Sequence, residues 1–174
     1  MNLYLRLIGV LCRIIWGTKK DLLAESRLVL RALPLDCDLN WHLNNARYLS
    51  FMDLGRLHLI GQANFFRTML KQRWSPILLA AEISFIKAIK PLQRFELITR
   101  VLTWDNNYLY LEQRFEKDGK LLALAYVKGL FIGKTGKVPT VELLAASGVT
   151  TSEPPPMPEV IKYWKDLTEV KKNA

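Results

Sequence analysis

Two patterns of apolar and polar positions follow one another in the first part of the chain. Residues 26–33 alternate with a period of two, which predicts a β-strand that Pro34 stops. After a polar turn, apolar residues recur at helical spacing from about residue 45 to 70, and Asn44 or Asn45 can cap this helix. Apolar residues also occupy its other faces. We therefore expect a long helix that other elements enclose.

From residue 77 onward the apolar positions recur with a period of two. This pattern predicts four further strands, near residues 77–89, 93–104, 107–117 and 120–132. The sequences Asp105-Asn106-Asn107 and Asp118-Gly119 are typical of hairpin turns, so at least the last three strands form an antiparallel meander. One strand, one long helix and four strands predict an α+β domain.

The N-terminal segment, residues 1–16, is apolar but is interrupted by Arg6 and Arg13. A spanning helix needs roughly 20 mostly apolar residues, and no cleavage site follows, so we expect neither a membrane span nor a signal peptide. The two arginines are two helical turns apart and share one stripe. This pattern suits either a helix at a membrane surface or a helix packed on the domain or a partner subunit, and we favour packing. We expect the fold to survive deletion of the segment.

The C-terminal part contains a short predicted helix, a stiff linker and an amphipathic helix. The short helix covers residues 140–147, and the Pro-rich sequence TTSEPPPMPE follows it. In the last helix, Ile161, Trp164 and Leu167 or Thr168 can pack on the body of the protein. The chain therefore divides into an N-terminal segment (1–20), a main domain (21–150) and a linker with a terminal helix (151–174).

The composition fits a globular protein, because 50% of the 174 residues are hydrophobic and 24% are charged. The net charge of +9 favours anionic partners. The basic residues are dispersed among acidic ones without a recognition motif, which argues against nucleic acid. Cys12 and Cys37 have no disulfide or metal spacing, and His42 and His58 form no metal motif. We therefore expect a reducing compartment and no metal.

The densest cluster of functional groups lies in the turn between the first strand and the long helix. The free N–H groups at the start of a helix stabilise an oxyanion, and a carboxylate beside them completes a minimal acyl-transfer site. The alternative is that these residues only form the turn and cap the helix. The cluster consists of Asp36, Asp38, Asn40, His42, Asn44 and Asn45.

The pattern D-x-D-x-N-x-H-x-N-N-x-x-Y, at residues 36–48, resembles the motif of hotdog-fold thioesterases. Similar motifs occur in the 4-hydroxybenzoyl-CoA thioesterase group and in plant acyl-acyl-carrier-protein thioesterases. ISFIKAIKP, at 83–91, resembles the second strand of that family, and the apolar N-terminus is similar to the branch of thioesterase superfamily member six. The resemblance covers residues 26–147. It implies a five-stranded antiparallel sheet wrapped around one long central helix, here with extra N- and C-terminal helical segments.

The resemblance also implies roles for individual residues. Asp38 matches the catalytic carboxylate, whereas Asp36 is expected to be a turn residue. Asn40 would orient the substrate, and His42 would assist proton transfer or make a structural hydrogen bond. Asn44 and Asn45 would lie at the oxyanion or substrate-binding end of the helix.

Three further positions are candidate substrate contacts. Trp41 stands where relatives often have Gly or a small residue, so the acyl path would be narrower or differently lined. The plant enzymes have an acidic residue on the second strand. Our alignment places Ser84 there, and Glu82 lies on the same face of the strand.

These features predict hydrolysis of an acyl thioester, acyl-CoA or acyl-carrier protein, to a free acid and a thiol. Asp38 would act as nucleophile or general base, and no cofactor is required. One alternative is a hotdog dehydratase or hydratase, and another is a non-catalytic acyl-lipid-binding protein at a membrane. The unpaired sheet edge and the resemblance predict a homodimer, or a dimer of dimers, with active sites at the subunit boundary. We expect a cytoplasmic protein, with peripheral membrane contact through residues 1–16 as the alternative to packing.

Overall fold

The computed structural model describes residues 2–149 and 153–172 of the chain. The helices are α1 (Asn2–Trp16), α2 (Asn45–Gln62), α3 (Phe66–Gln72), α4 (Thr140–Ala146) and α5 (Glu159–Lys172). The strands are β1 (Ser26–Arg31), β2 (Ser75–Phe85), β3 (Arg94–Trp104), β4 (Leu109–Lys117), β5 (Lys120–Gly133) and β6 (Gly136–Lys137). A single 3₁₀ turn, Pro34–Asp36, follows β1.

The strands form one antiparallel sheet in the order β1-β3-β4-β5-β2, and the two-residue β6 pairs with β5. The predicted meander of β3, β4 and β5 is confirmed. Asp118 and Gly119 both have positive φ angles, 50° and 71°, as the predicted tight hairpin between β4 and β5 requires. Strands β1 and β2 therefore lie at the two edges of the sheet.

Helix α2 packs against one face of this sheet. Its buried side chains include Tyr48, Phe51 and Met52, and the ring of Tyr48 lies 4.9 Å from that of Phe115 on β4. Gly55 marks the closest approach, because a Cβ atom there would lie 2.6 Å from Thr99 Oγ1 on β3. The sheet thus wraps around α2, as the α+β prediction required.

The prediction that the central helix runs to about residue 70 was wrong. Helix α2 ends at Gln62, the chain turns through Asn64 with a φ of 55°, and α3 starts at Phe66. The reason is the packing of Phe65, which is 1% exposed and whose ring contacts Trp74 and Phe131. Burying this ring requires a bend that the helical spacing of the apolar residues does not reveal.

Helix α1 packs on α2, as we favoured from the sequence. Val10 and Ile14 are buried, and Ile14 lies so close to Gly61 of α2 that a Cβ atom at Gly61 would meet it at 2.5 Å. On its flank, Arg13 Nη1 donates to the carbonyl of Val29 on the outer side of β1. Helix α1 therefore covers one edge of the sheet and encloses α2 from outside. No helix in the part of the chain that the structure describes is long and apolar enough to cross a membrane.

Helix α5 lies on the opposite face of the sheet from α2. Ile161 and Trp164 are buried against Tyr110 of β4, whereas the neighbours of Tyr110 on that strand point into the main core. The expected packing of the terminal helix is thus confirmed for these two residues. Leu167 is 51% exposed and does not belong to this contact.

Candidate active site

The turn between β1 and α2 is held closed by the backbone. Cys37 and Leu43 form an isolated antiparallel bridge, and the N–H of Asp38 donates to the carbonyl of His42 at 2.8 Å. Inside this turn, Oδ1 of Asp38 accepts the N–H groups of Asn40 at 2.9 Å and His42 at 3.3 Å. Both of these hydrogen bonds to the half-buried carboxylate use Oδ1. We call residues 37–43 the catalytic turn, after the role that we propose for Asp38 below.

Helix α2 begins directly after the catalytic turn. The predicted cap at Asn44 is confirmed, since its Oδ1 accepts the N–H of Ala46 at 2.9 Å. The carbonyl of Asn44 accepts the N–H of Arg47 at 2.8 Å. Asn45, the first residue of the helix, is exposed. The partial positive charge of this helix end therefore lies one residue beyond the turn that holds Asp38.

The side chains of Asn40, Trp41 and His42 are all exposed around Asp38. Trp41 has a φ of 56°, in the left-handed region that favours glycine. This geometry explains why a small residue or Gly would suit this position, and a non-glycine residue there costs about 1–2 kcal/mol. The Trp41 side chain is 67% exposed, which places an indole ring at the mouth of the turn.

Asp36 has a different role from Asp38. It is 0% exposed, and its carboxylate accepts hydrogen bonds from Arg6 on α1 and from the N–H of Leu33. Burial alone would raise the pKa of Asp36, but these hydrogen bonds and the charge of Arg6 outweigh it and hold the pKa below its usual value. The sequence predicted only that Asp36 is a turn residue. The structure adds that its buried carboxylate anchors the turn through these hydrogen bonds. Residues 6 and 36 are 30 positions apart, and no sequence signal pairs them.

Glu82 and Ser84 lie on the exposed edge strand β2. The hydroxyl of Ser84 is 3.3 Å from Glu82 Oε1, to which it donates. The ring of Phe85, at the end of the same strand, lies 4.9 Å from that of Tyr48 in the first turn of α2. This end of β2 is thus close to the start of α2, although within the described residues neither Glu82 nor Ser84 hydrogen-bonds to Asp38.

An apolar cavity of about 200 Å³ lies between α2 and the sheet. A cavity of about 150 Å³ with such a lining holds a benzene ring, so this cavity has room for an apolar group of that size. The α2 residues in its wall, from Asp53 to Ile60, lie about 12–22 Å beyond Asn45 along the helix axis. The cavity therefore lies toward the C-terminal half of α2, at the end away from the catalytic turn of its own chain. No pattern in the sequence indicated this cavity. Its walls include Leu59, Ile60, Phe65, Ile77, Leu78, Leu111, Val127 and Phe131.

Charged groups also reach this cavity. Arg56 of α2 lines it and donates to Gln113 Oε1 at 2.7 Å and to the carboxylate of Asp53. Burial lowers the pKa of Arg56 more than the Asp53 charge raises it. As for metals, the residues described contain no group of three or more His, Cys, Asp or Glu side chains that could hold an ion.

Sequence comparisons agree with the motif. A model of the thioesterase-like superfamily matches residues 32–165. Protein THEM6 of Xenopus laevis is 32% identical over 148 residues, which cover 83% of this chain and 69% of that protein. Probable thioesterase YBR096W of Saccharomyces cerevisiae is 30% identical over 110 residues, which cover 61% of this chain and 46% of that protein.

Comparison with solved structures gives the same fold. The probable thioesterase YbaW of Escherichia coli has a TM-score of 0.66 at 17% identity, covering 74% of this chain and 99% of that one. SAV2348 of Staphylococcus aureus, a hypothetical protein in complex with CoA, has a TM-score of 0.63 at 14% identity, covering 78% of this chain and 90% of that one. The predicted resemblance is thus confirmed. The chain belongs to the thioesterase-like superfamily and has the hotdog fold.

Proposed function

We propose that this protein hydrolyses an acyl-CoA thioester with Asp38 as the catalytic carboxylate. The observation that carries the proposal is the catalytic turn, in which backbone N–H groups fix Oδ1 of Asp38 immediately before the N-terminus of α2. The CoA bound in the related SAV2348 structure favours CoA over a carrier protein as the thiol. The apolar cavity favours a hydrocarbon or aromatic acyl group.

In the proposed reaction, the carbonyl oxygen of the thioester faces the N–H groups at the start of α2. Asp38 acts in one of two ways. As a general base it takes a proton from water while the water oxygen adds to the carbonyl carbon. The C–S bond then breaks, and the proton passes to the thiolate sulfur, so that an acid and a thiol leave. As a nucleophile it adds to the carbonyl carbon and the C–S bond breaks, which gives an acyl–Asp38 anhydride and a thiolate. Water then hydrolyses the anhydride to the acid and the Asp38 carboxylate, and a proton from that water ends on the thiolate sulfur. The helix N-terminus stabilises the oxyanion in both routes.

The other polar residues support this chemistry. The exposed amide of Asn40 is available to orient the substrate, and His42 to move the proton to the leaving sulfur. We assign Asn45 to the oxyanion end of α2 and Asn44 to the cap that holds it. Trp41 would line the entry.

The activity test is thiol release across acyl-CoA chain lengths. We expect Asp38→Asn to lower turnover by roughly 10²–10⁴-fold, because it removes the negative charge but keeps the shape. His42→Ala should cost less. Near wild-type turnover in a folded Asp38→Asn variant contradicts the proposal. In single-turnover reactions in H₂¹⁸O, label in the Asp38 side chain identifies the nucleophile route, because only attack of water on the Asp38 carbonyl of an anhydride can place it there. Hydration of an enoyl-CoA without thiol release would favour the hydratase alternative.

We also propose a homodimer formed through β2. Of the two sheet edges, β1 is covered by α1, whereas nine of the eleven residues of β2 are exposed. Exposed strand edges pair with other chains. The apolar side chains exposed on this strand and just after it are Ile77, Leu78, Leu79, Phe85 and Ile86.

Antiparallel pairing of two β2 strands would join the cavity to the catalytic turn. The twofold axis would place the Ile77 end of one strand beside the Ser84 end of the other. The cavity lies at the Ile77 end, and the start of α2 lies at the other end. An acyl chain in the cavity of one protomer would then approach Asp38 of the second protomer, with Glu82 and Ser84 at the boundary.

Light scattering tests the assembly, and a mass near twice 20.1 kDa is expected. Leu78→Lys should shift the protein to monomers and lower turnover. Val141→Lys, at a similarly exposed apolar residue on α4, is the matched control and should remain dimeric. A fully active wild-type monomer contradicts the shared site, and a mass of four chains indicates a dimer of dimers.

The outward face of α1 supports peripheral membrane contact of a cytoplasmic protein. Its exposed large apolar side chains are Tyr4, Leu5, Ile8, Leu11, Ile15 and Trp16. Aromatic residues at both ends of an apolar stripe suit the membrane interface, and Lys20 lies beyond the helix, where it can meet anionic headgroups. We expect cosedimentation with vesicles that contain phosphatidylserine and its loss in Ile8→Asp. Leu167→Asp, at a 51% exposed residue of α5 on the opposite face of the sheet, is the control and should still bind. Equal sedimentation of both variants contradicts the contact.

A further inference from the structure

Helix α1 lies outside the part of the chain that matches the thioesterase-like superfamily. It nevertheless contacts Asp36, the buried residue that anchors the catalytic turn. The family match begins at residue 32, whereas α1 ends at Trp16. From this helix, Arg6 reaches Asp36 through two hydrogen bonds, Nη1 to Oδ1 at 3.0 Å and Nη2 to Oδ2 at 2.5 Å. The side chains of Arg6 and Asp36 are 13% and 0% exposed. This is a bidentate ion pair shielded from solvent.

Arg6 also contacts the elements on either side of the turn. Its Nη2 donates to the carbonyl of Arg31 at the end of β1, at 2.9 Å. Its guanidinium lies 4.6 Å from the ring centroid of Phe51 on α2. One side chain thus connects the strand that enters the turn with the helix that leaves it.

Asp36 transmits this contact to both ends of the turn. Its Oδ2 accepts the N–H of Leu33, just after β1, at 2.8 Å. Its backbone carbonyl accepts the N–H of Asn44, the cap of α2, at 2.9 Å. Asp38 is two residues further on. The distance between the Asp38 carboxylate and the first N–H groups of α2 therefore depends on a residue that Arg6 holds in place.

We propose that Arg6 is a positioning residue for hydrolysis, so that α1 is part of the catalytic apparatus of this chain. The inference rests on the proposed role of Asp38. Its physical basis is that the carboxylate and the oxyanion site must be held in a fixed relation for the reaction. Small displacements therefore lower turnover more than they weaken substrate binding. Removal of residues 1–16 would also take the buried Val10 and Ile14 out of the core and expose the surface of α2 around Gly61, which changes our expectation that the segment is dispensable.

The test compares Arg6→Met with Arg13→Met. Arg13 is on the same helix and its recorded hydrogen bond goes to the carbonyl of Val29, on β1 rather than on the turn, so it is a matched control for the docking of α1. We expect Arg6→Met to lower kcat at least tenfold with a KM change below threefold. We expect Arg13→Met to keep kcat within twofold of the wild type. Arg6→Lys, which keeps the charge but loses the two-point contact, should have an intermediate kcat.

Hydrogen exchange gives a readout that does not depend on activity. Arg6→Met should speed exchange of the Asp38 and Asn44 amides, which donate to the carbonyls of His42 and Asp36, and leave the β3–β4 amides unchanged. Asp36→Asn should show the same change, and the double variant should be no worse than either single one. If Arg6→Met does not fold, the same comparison is made with Arg6→Lys.

Wild-type kcat and wild-type exchange in a folded Arg6→Met overturn the inference. Equal loss of kcat in Arg13→Met also overturns it, because the effect would then come from the docking of α1 in general. These results are distinct from failure of the proposed function, which Asp38→Asn reports. If Asp38→Asn loses turnover while both Arg6 variants keep it, only the positioning role is wrong.

Discussion

Replacing Gly55 by alanine tests the packing that places α2 in the sheet. The new Cβ atom would lie 2.6 Å from Thr99 Oγ1, 2.8 Å from Leu97 Cδ2 and 2.9 Å from Gln113 Nε2. Thr99, Leu97 and Gln113 are all 0% exposed. Contacts this short cannot be kept, so α2 must move away from β3 and β4 or the three side chains must shift.

The magnitude follows from three opposing contributions. Alanine is favoured over glycine in a helix by about 1 kcal/mol. Overpacking of a dense core costs about 1–3 kcal/mol. The Gln113 amide donates to Thr99 Oγ1 at 2.9 Å and to the carbonyl of Met52 at 3.0 Å. A buried amide that loses such a partner costs a further ~1–3 kcal/mol. We therefore expect Gly55→Ala to lower the free energy of unfolding by about 1–5 kcal/mol.

Urea denaturation followed by circular dichroism measures this change. The matched control is Gly9→Ala in α1, because no atom lies within 4 Å of a Cβ atom built there. Gly9→Ala should stabilise the protein by about 0.5–1 kcal/mol, since only the helix preference changes. If Gly55→Ala is as stable as the wild type or gains as much as Gly9→Ala, the close approach of α2 to the sheet is refuted.

Three further changes have definite expected outcomes. Ile161→Ala, at a 0% exposed residue of α5, should lower the free energy of unfolding by about 2–5 kcal/mol, whereas Val160→Ala, at a 42% exposed neighbour, should change it little. Asn44→Ala should cost about 0.5–2 kcal/mol in the same urea assay, because α2 loses its cap. Burial lowers the pKa of His58 below 6.5, and the nearby charges of Arg13 and Lys20 lower it further. The unfolded chain therefore takes up this proton at a higher pH than the folded protein does, so stability falls as the pH drops below about 6.5. In His58→Asn, the contribution of His58 to the loss of stability between pH 7.5 and 5.5 should disappear. An unchanged slope of the free energy of unfolding against pH contradicts this expectation.

Local features of the sequence determined most of the elements of this fold. Alternating apolar residues predicted β1 to β5, because a strand with one buried face must alternate. The hairpin at Asp118-Gly119 requires positive φ angles, which few residues adopt easily. The cap at Asn44 needs only its own side chain and the next turn of backbone. The position of Asp38 between β1 and α2 was predictable for the same reason.

Only the tertiary structure decided where α2 ends, what anchors the catalytic turn and where the cavity lies. The apolar spacing continues past Gln62, and the bend there depends on Phe65, which packs against side chains from two other elements. The Arg6–Asp36 pair joins residues 30 positions apart, and it exists because α1 docks on α2. Each of these features is formed by residues that are distant in sequence. The apolar pattern of one segment does not indicate which other segment it will contact.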